Sequence, residues 1–226
     1  MKKILGMGNS LVDILVKLDG ERYLSELELG KGSMTLVDKQ RMNRILGSTS
    51  HLGYNKSAGG SAANTINGLA ILGVKTGFIG KVGDDEYGLF FDTDMKSNQI
   101  NTTLFKGEEE TGKCVVLISE DSERTMATYL GAAVELCEKD LTEALFKGYD
   151  FFHVEGYFVQ DKNLLNRALE YAKNAGLKIS IDLSSYNIVE QNKSYFEDII
   201  RKYVDILFAN EDEAEAFTGY RDDAKC

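Results

Sequence analysis

From about residue 60 onward, short apolar runs that end in glycine, aspartate or asparagine alternate with amphipathic stretches of helical length. This alternation is typical of βαβ units, in which crossover helices join parallel strands. Runs such as Val204–Ala209 are apolar enough for strands that helices cover on both faces. The pattern predicts strands at Lys3–Gly8, Thr76–Val82, Tyr149–Glu155, Leu177–Leu183 and Val204–Ala209.

Helical periodicity occupies the intervals between these strands. Crossovers of this kind are expected to be right-handed, and strands that are apolar on both faces require helices on both faces of the sheet. We therefore expect one α/β domain over residues 1–226, with a mostly parallel central sheet. The predicted helices are Ser61–Leu72, Glu86–Asn98, Leu141–Phe146, Lys162–Asn174 and Lys193–Lys202.

Two stretches, Leu11–Ser33 and Thr111–Gly131, break this rhythm. Both have the alternation of strands but lack crossover helices between them. We interpret them as a small β-rich lid over one end of the sheet, formed by about residues 11–37 and 101–131.

Charge and cysteine content narrow the function classes. The chain has 26 basic and 36 acidic residues, a formal net charge of −10, and no run of five lysines or arginines. This charge disfavours nucleic acid as a partner and favours a neutral small molecule such as a nucleoside. Three widely spaced cysteines without a CxxC pair indicate a reduced, cytoplasmic location. No apolar stretch has membrane-spanning length, so we expect no membrane partner.

Two glycine-rich segments resemble nucleotide-binding motifs only in part. Gly6-Met7-Gly8 follows a predicted strand, but Leu11 occupies the third glycine position of the dinucleotide fingerprint. A nicotinamide-dependent oxidoreductase is therefore disfavoured. The segment at residues 30–33 lacks the spacing of a phosphate-binding P-loop.

The segment Gly59-Gly60-Ser61 precedes a predicted helix whose first turn carries Asn64. The two glycines allow the backbone to approach a ligand, and Ser61 is a candidate helix cap. The helix start presents free amides, and Asn64 adds an amide donor and acceptor. Such a group suits a polyol, whose hydroxyls need donors and acceptors at fixed positions. Tight packing of the helix on the sheet is the structural alternative.

Together with residues 80–85, the run 58–73 resembles the first signature of the ribokinase/PfkB family of carbohydrate kinases, most closely its adenosine-kinase-like members. The resemblance covers nearly the whole chain and corresponds to the N-terminal part of such a kinase. It implies a ribokinase-like three-layer α/β/α fold with a β-rich lid. It also implies ATP-dependent phosphorylation of a sugar or nucleoside hydroxyl, with Mg²⁺ bridging the phosphates.

The resemblance assigns roles to particular residues. Asp13 corresponds to the aspartate that accepts hydrogen bonds from two neighbouring sugar hydroxyls, although a solvated turn carboxylate is the alternative. Arg124 corresponds to a lid arginine that approaches the transferred phosphate, with an ordinary surface arginine as the alternative. Asn210 and Glu213 match the Asn-x-x-Glu motif, whose glutamate organises Mg²⁺ and phosphate through water. An acidic helix start would select the same two residues.

Other positions have less certain roles. Asp182 ends a predicted strand and resembles a strand-end aspartate of the family. Met34, Leu36 and Tyr129 are candidates for a base-binding pocket, although apolar core is the favoured interpretation of each. The lid is also a possible surface for homodimer formation.

The family's Gly-Ala-Gly-Asp segment, which supplies the anion hole and the catalytic base, does not occur in the 226 residues. We therefore expect the acceptor half of a kinase that is inactive, or nearly so, by itself. We also expect an uncovered sheet edge that favours self-association. The rival interpretation is a nucleoside- or polyol-binding module without catalysis.

Overall fold

The structure is a computed structural model that describes residues 2–20 and 22–221. The strands are β1 (Lys3–Met7), β2 (Leu11–Lys17), β3 (Met34–Leu36), β4 (Tyr54–Gly59), β5 (Lys75–Val82), β6 (Asn101–Lys106), β7 (Thr111–Ile118), β8 (Arg124–Gly131), β9 (Phe151–Glu155), β10 (Lys178–Asp182) and β11 (Ile206–Phe208). The α-helices are α1 (Arg22–Glu26), α2 (Lys39–Thr49), α3 (Ser61–Ile71), α4 (Glu86–Ser97), α5 (Lys162–Asn174), α6 (Tyr186–Tyr203) and α7 (Glu211–Thr218). Short 3₁₀ segments cover Ala132–Glu135, Glu138–Asp140, Glu143–Phe146 and Gly156–Gln160.

The central sheet has the strand order β11-β10-β9-β1-β5-β6, and each neighbouring pair in it is parallel. All five strands predicted for a parallel sheet are present in it. Helices cover both faces, and the apolar side chains of β1 and β5 alternate between two hydrophobic clusters. Phe152 and Leu165 lie in one cluster, and Phe78 and Ile66 in the other. The predicted three-layer α/β fold with a mostly parallel sheet is confirmed.

A second sheet, with the order β3-β8-β7-β2-β4, combines parallel and antiparallel pairs. It contains the strands expected at both interruptions of the βαβ rhythm. The set of strands in this sheet differs from the expected lid in two respects. β6 belongs to the central sheet, where it pairs with β5, and β4 joins the second sheet from outside the expected ranges.

Two helix predictions were wrong in type or extent. Residues 141–146 do not form an α-helix, and a 3₁₀ segment covers Glu143–Phe146. A segment of six residues forms too few hydrogen bonds to offset the free-energy cost of nucleating an α-helix. The packing of the buried Phe146 therefore determines the backbone conformation here. The helix predicted at residues 193–202 begins seven residues earlier, at Tyr186. Asn192 has non-helical φ and ψ within α6 and kinks the helix. The hydrophobic periodicity is therefore interrupted at this residue, and the sequence predicted only the part after it.

The edge strand β11 exposes apolar side chains. Ile206, Leu207 and Phe208 are 41%, 37% and 52% exposed. An exposed apolar strand edge has unpaired backbone groups that can pair with another chain. The expected self-association at this edge stays a prediction. None of the described helices is long and apolar enough to span a membrane.

We predict that Leu165→Ala lowers the free energy of unfolding by about 2–5 kcal/mol, because Leu165 on α5 is fully buried and its truncation leaves a cavity. The control Leu89→Ala removes the same atoms from a side chain that is 67% exposed, and we expect a change within about 0.5 kcal/mol. Urea denaturation of both variants measures the difference. Equal losses would contradict the assignment of α5 to the core.

Candidate functional site

Asp13 lies on β2, on the face of the second sheet that also carries Cys114 and Thr128. These three residues occupy one row across β2, β7 and β8. The carboxylate leans against Gly59 on the neighbouring β4, where a Cβ atom would lie 2.2 Å from the Asp13 carboxyl carbon. Gly59 is therefore needed because any side chain would displace the carboxylate.

The environment of Asp13 gives its carboxylate no protein partner. Burial raises its pKa to about 6, and no hydrogen bond from the described residues counteracts this effect. A carboxylate withdrawn from water without donors is unfavourable unless a ligand supplies them. The structure thus places at position 13 an acceptor available for hydroxyl groups.

Gly60 forms the sharp connection between β4 and α3. Its φ of 104° is accessible to glycine, and a Cβ atom would lie 2.1 Å from the backbone oxygen of Asn9. Gly60 itself is the N-cap of α3, so the expected capping role of Ser61 was wrong. Ser61 is the first helical residue because the positive φ ends the extended strand one position earlier. The backbone amide of Asn64 donates to the oxygen of Gly60, and its side chain is exposed.

Sequence reasoning missed Glu155, the last residue of β9. It is 1% exposed and accepts hydrogen bonds from the backbone amide of Asn9 at 3.1 Å, from the Asn9 side-chain amide, and from the Ala62 amide at 3.2 Å. It thereby joins the end of β9 to the segment after β1 and to the start of α3. A glutamate directly after the buried run Phe151–Val154 was the available signal, because carboxyl ends of parallel strands converge.

The surroundings of Glu155 raise its pKa to about 7. Burial is the main cause, the negative charge of Asp182 adds to it, and the hydrogen bonds from Asn9 and Ala62 oppose it. Asp182 lies at the end of the neighbouring strand β10, where its carboxylate accepts from the Ser184 amide at 2.8 Å. The predicted strand-end aspartate therefore contributes charge beside the site and fixes its own turn.

Asn210 and Glu213 form a reciprocal cap at the start of α7. The Asn210 side chain accepts from the Glu213 amide at 2.9 Å, and the Glu213 carboxylate accepts from the Asn210 backbone at 3.1 Å and from its side chain at 3.0 Å. This arrangement is a capping box. The two residues thus cap the start of a helix, as the alternative interpretation of the motif expected. Their contribution to phosphate and Mg²⁺ binding stays a prediction.

Direct coordination of Mg²⁺ does not fit the described residues. Both Glu213 carboxylate oxygens are engaged by Asn210, and the side chain is only 6% exposed. No group of three or more acidic, histidine or cysteine side chains in the described part of the chain could hold a metal. Mg²⁺ prefers several oxygen ligands in octahedral geometry. The described residues therefore do not form a set of direct Mg²⁺ ligands.

Arg124 is not brought to the Asp13 row. It is exposed at the start of β8 and pairs with Ile118, whereas the row of Asp13 meets β8 at Thr128. Four residues of strand separate the two positions by about 13 Å along β8. Both side chains are on the same face because their positions differ by an even number. A phosphate contact by Arg124 stays a prediction.

The candidate base-pocket residues divide between the two faces. Leu36 pairs with Thr128 and so extends the row of Asp13, and Met34 lies two residues before it on the same face. Met34 and Leu36 are 44% and 60% exposed, so the preference for apolar core was wrong for both. Tyr129 faces the opposite side, where it packs against the core, and its hydroxyl donates to Glu109 at 3.0 Å. Sequence alone could not distinguish an exposed apolar patch from a core strand.

Comparison with known proteins gives consistent results. Residues 47–225 match the family model described as pfkB family carbohydrate kinase. The guanosine-inosine kinase of Escherichia coli strain K12 is 26% identical over 97% of this chain and 53% of its own length. Adenosine kinase 2 of Arabidopsis thaliana is 28% identical over 95% of this chain and 64% of its own length. The chain thus spans about half to two thirds of these curated relatives.

Solved structures show the same similarity. The adenosine kinase from Sinorhizobium meliloti superposes with a TM-score of 0.84 and 32% identity, over 98% of this chain and 68% of that one. A probable sugar kinase from Rhizobium etli CFN 42 gives a TM-score of 0.85 and 31% identity, with the same coverage. The expected resemblance is therefore confirmed.

We predict that Gly60→Ala destabilises the chain more than Gly73→Ala does. Both glycines have positive φ, 104° and 83°, so both substitutions strain the backbone by about 1–2 kcal/mol. Only at Gly60 does the new methyl group also collide with backbone, whereas nothing lies within 4 Å of it at Gly73. Thermal and urea unfolding of the pair measure the difference. Equal destabilisation would show that the close approach to Asn9 is absent.

We predict that Glu155 makes stability depend on pH. Folding raises its pKa from 4.5 to about 7, so the native state binds this proton more tightly than the unfolded state. Its contribution is therefore greatest below about pH 4.5 and decreases as the pH rises to about 7. Relative to Glu155→Gln, wild-type stability should fall by roughly 1–3 kcal/mol between pH 5 and 8. Urea titrations with parallel pH profiles for the two proteins would contradict this.

Proposed function

The chain belongs to the pfkB family of carbohydrate kinases, and from this premise we propose that it forms the acceptor-binding part of an ATP-dependent nucleoside kinase. The family name and the kinase relatives support phosphoryl transfer from ATP to an alcohol. The choice of a nucleoside rests on the site described above.

The unpartnered carboxylate of Asp13 carries the proposal. It is partly buried, its pKa is raised to about 6, and the described residues offer it no hydrogen bond. Two neighbouring hydroxyls of a ribose can donate to its two oxygens. The exposed Asn64 and the start of α3 then supply further polar groups beside Gly60. Ribose hydroxyls would satisfy a group that otherwise has no partner in the fold.

An apolar surface on the sheet face of Asp13, three strands away from it, favours a nucleoside over a free sugar. Leu36 shares the row of Asp13, and Met34 and Met126 are paired on the same face. Aliphatic and thioether side chains that are partly exposed suit the flat face of a purine base. A free sugar has no apolar group of that size. The printed names of relatives, guanosine-inosine kinase and adenosine kinase, agree with a purine nucleoside.

The chain's own residues account for binding rather than for the chemical step. Asp13 orients the acceptor through its hydroxyls, and the glycines at positions 59 and 60 keep the backbone close to it. The Gly-Ala-Gly-Asp segment that the family uses for the anion hole and base does not occur in the 226 residues. Phosphoryl transfer depends on positioned electrostatic stabilisation, so these residues alone bind the acceptor without transferring phosphate. The rival function, binding without catalysis, rests on the same absence.

We predict that the chain binds adenosine, guanosine or inosine saturably and binds free ribose at least about tenfold more weakly, because the base adds buried apolar area. Isothermal titration measures the four affinities. Asp13→Ala and Asn64→Ala should each weaken nucleoside binding by about tenfold or more, since each removes hydrogen bonds to the ligand. The control Asp19→Ala removes one negative charge at an exposed position and should leave the affinity unchanged.

Two outcomes would overturn the proposal. Tighter binding of ribose than of any nucleoside would reject the nucleoside, and affinity unaffected by Asp13→Ala would reject the site. A coupled assay for ATP consumption tests whether the chain binds the nucleoside without transferring phosphate to it. Nucleoside-dependent turnover by the 226-residue chain, lost in Asp13→Ala, would show that a catalytic base lies within it.

A further inference from the structure

A cleft of about 810 Å³ lies at the end of the central sheet opposite to the acceptor site. Lys3, Lys75 and Asn101, the first residues of β1, β5 and β6, line it. Asp13 and Gly60 lie instead near the carboxyl ends of these strands, because β1 leads directly into the loop before β2. Five to eight residues of strand separate the two ends, a distance of about 17–26 Å. The cleft is therefore a separate feature from the proposed acceptor site.

The charge of this cleft is opposite to that of the whole protein. Its lining contains Lys3, Lys75 and Lys147 and no aspartate or glutamate, although the chain has a net charge of −10. Within residues 2–20 and 22–221, none of these three lysines forms an ion pair. Asp150, next to the lining, is held by Lys2 at 2.6 Å and by the backbone amide of Lys3 at 2.9 Å. Among the described residues, the lining of this cleft thus contains three exposed lysines and no carboxylate.

A buried hydroxyl in the same lining lacks a partner. Thr76 is 5% exposed, and its Oγ1 atom has no hydrogen bond. Buried polar atoms are nearly always hydrogen-bonded, so this hydroxyl, which is closed off from solvent, marks a place for an ordered water. Asn98, Asn101 and Tyr149 also line the cleft as neutral polar residues, and the Asn98 side-chain amide donates to Asn67 at 2.8 Å. The Asn101 amide already approaches the Tyr149 hydroxyl at 3.4 Å.

We propose that this cleft is a binding site for a small molecule that carries a phosphate group, a function beyond the proposed nucleoside kinase. A phosphate is a multiply charged anion with several acceptor oxygens, which matches three lysines that form no ion pair among the described residues and a set of neutral polar residues. A single carboxylate would leave most of the positive charge unmatched. The volume falls within the range of about 300–1,000 Å³ that is typical of small-molecule sites.

The test titrates the ¹⁵N-labelled chain with inorganic phosphate at constant ionic strength. We expect saturable shifts of the backbone amides of Asn98, Gln99 and Thr103, which line the cleft. The double variant Lys75→Gln/Lys147→Gln should weaken binding by at least about tenfold, because it removes two of the three positive charges. Both lysines are exposed, so the variant is expected to fold. The matched control Lys193→Gln removes a lysine from α6, outside the cleft, and should change nothing.

Two further variants separate this proposal from the proposed function. Ala144→Glu places a carboxylate at an exposed position of the lining and should abolish phosphate binding while nucleoside binding is kept. Asp13→Ala should have the reverse effect. Shifts that do not saturate, that appear only at residues 60–64, or that are unchanged in the double lysine variant would each overturn the proposal. Loss of nucleoside binding alone would leave it intact.

Discussion

The carboxylate of Glu155 holds together the elements on which the candidate site depends. Three separate parts of the chain meet at this one side chain: the end of β9, the segment at Asn9 after β1, and the first turn of α3 at Ala62. These parts are more than 50 residues apart in sequence, so no local preference can position them together. A buried carboxylate is tolerated here because backbone and side-chain amides solvate it in place of water. The start of α3 is thereby fixed against the sheet.

Glu155 and Asp13 show two states of a carboxylate removed from water. Burial raises the pKa of both, to about 7 and about 6 respectively. Glu155 accepts three hydrogen bonds from the protein and is therefore a structural group of the fold. Asp13 lacks such donors and leans on a glycine, so it is suited to a ligand. The difference between a scaffold and a binding group thus lies in the donors around each carboxylate.

The two ends of the central sheet have different electrostatic character. Glu155, Asp182 and Glu213 concentrate negative charge near the carboxyl ends of the strands, where Asp182 raises the pKa of both glutamates. The amino ends carry Lys3 and Lys75 and no carboxylate in the cleft between them. The proposed acceptor, a neutral nucleoside, would bind at the first end, and the proposed phosphate-bearing molecule would bind at the second. Helix α3 contacts both ends, since its first turn meets Glu155 and Ala70 lines the cleft.

The sequence by itself determined the class of fold and most of the acceptor-site candidates. Strand and helix periods identified the parallel sheet, because residues buried on both faces leave a continuous apolar run. Local chemistry likewise marked Gly60 and Asn64, where glycine and polar residues interrupt the apolar pattern, whereas Asp13 was assigned by the resemblance to the kinase family. The kinked start of α6 and the 3₁₀ segment at residues 143–146 could not be predicted so well, because packing outweighs short-range preference there.

Tertiary structure alone decided which carboxylates are paired and which are available. The position of Glu155 at the end of an apolar run marked it as a candidate, but its hydrogen-bond partners come from distant parts of the chain and no local pattern identified them. The pairing of β3 with β8 likewise placed Leu36 in the row of Asp13 and left it exposed, whereas its apolar sequence alone favoured the core. Periodicity specifies which face of an element is apolar, but the register between distant strands specifies what that face meets. For this protein, register and long-range hydrogen bonds therefore determine the site, and local patterns determine the elements that carry it.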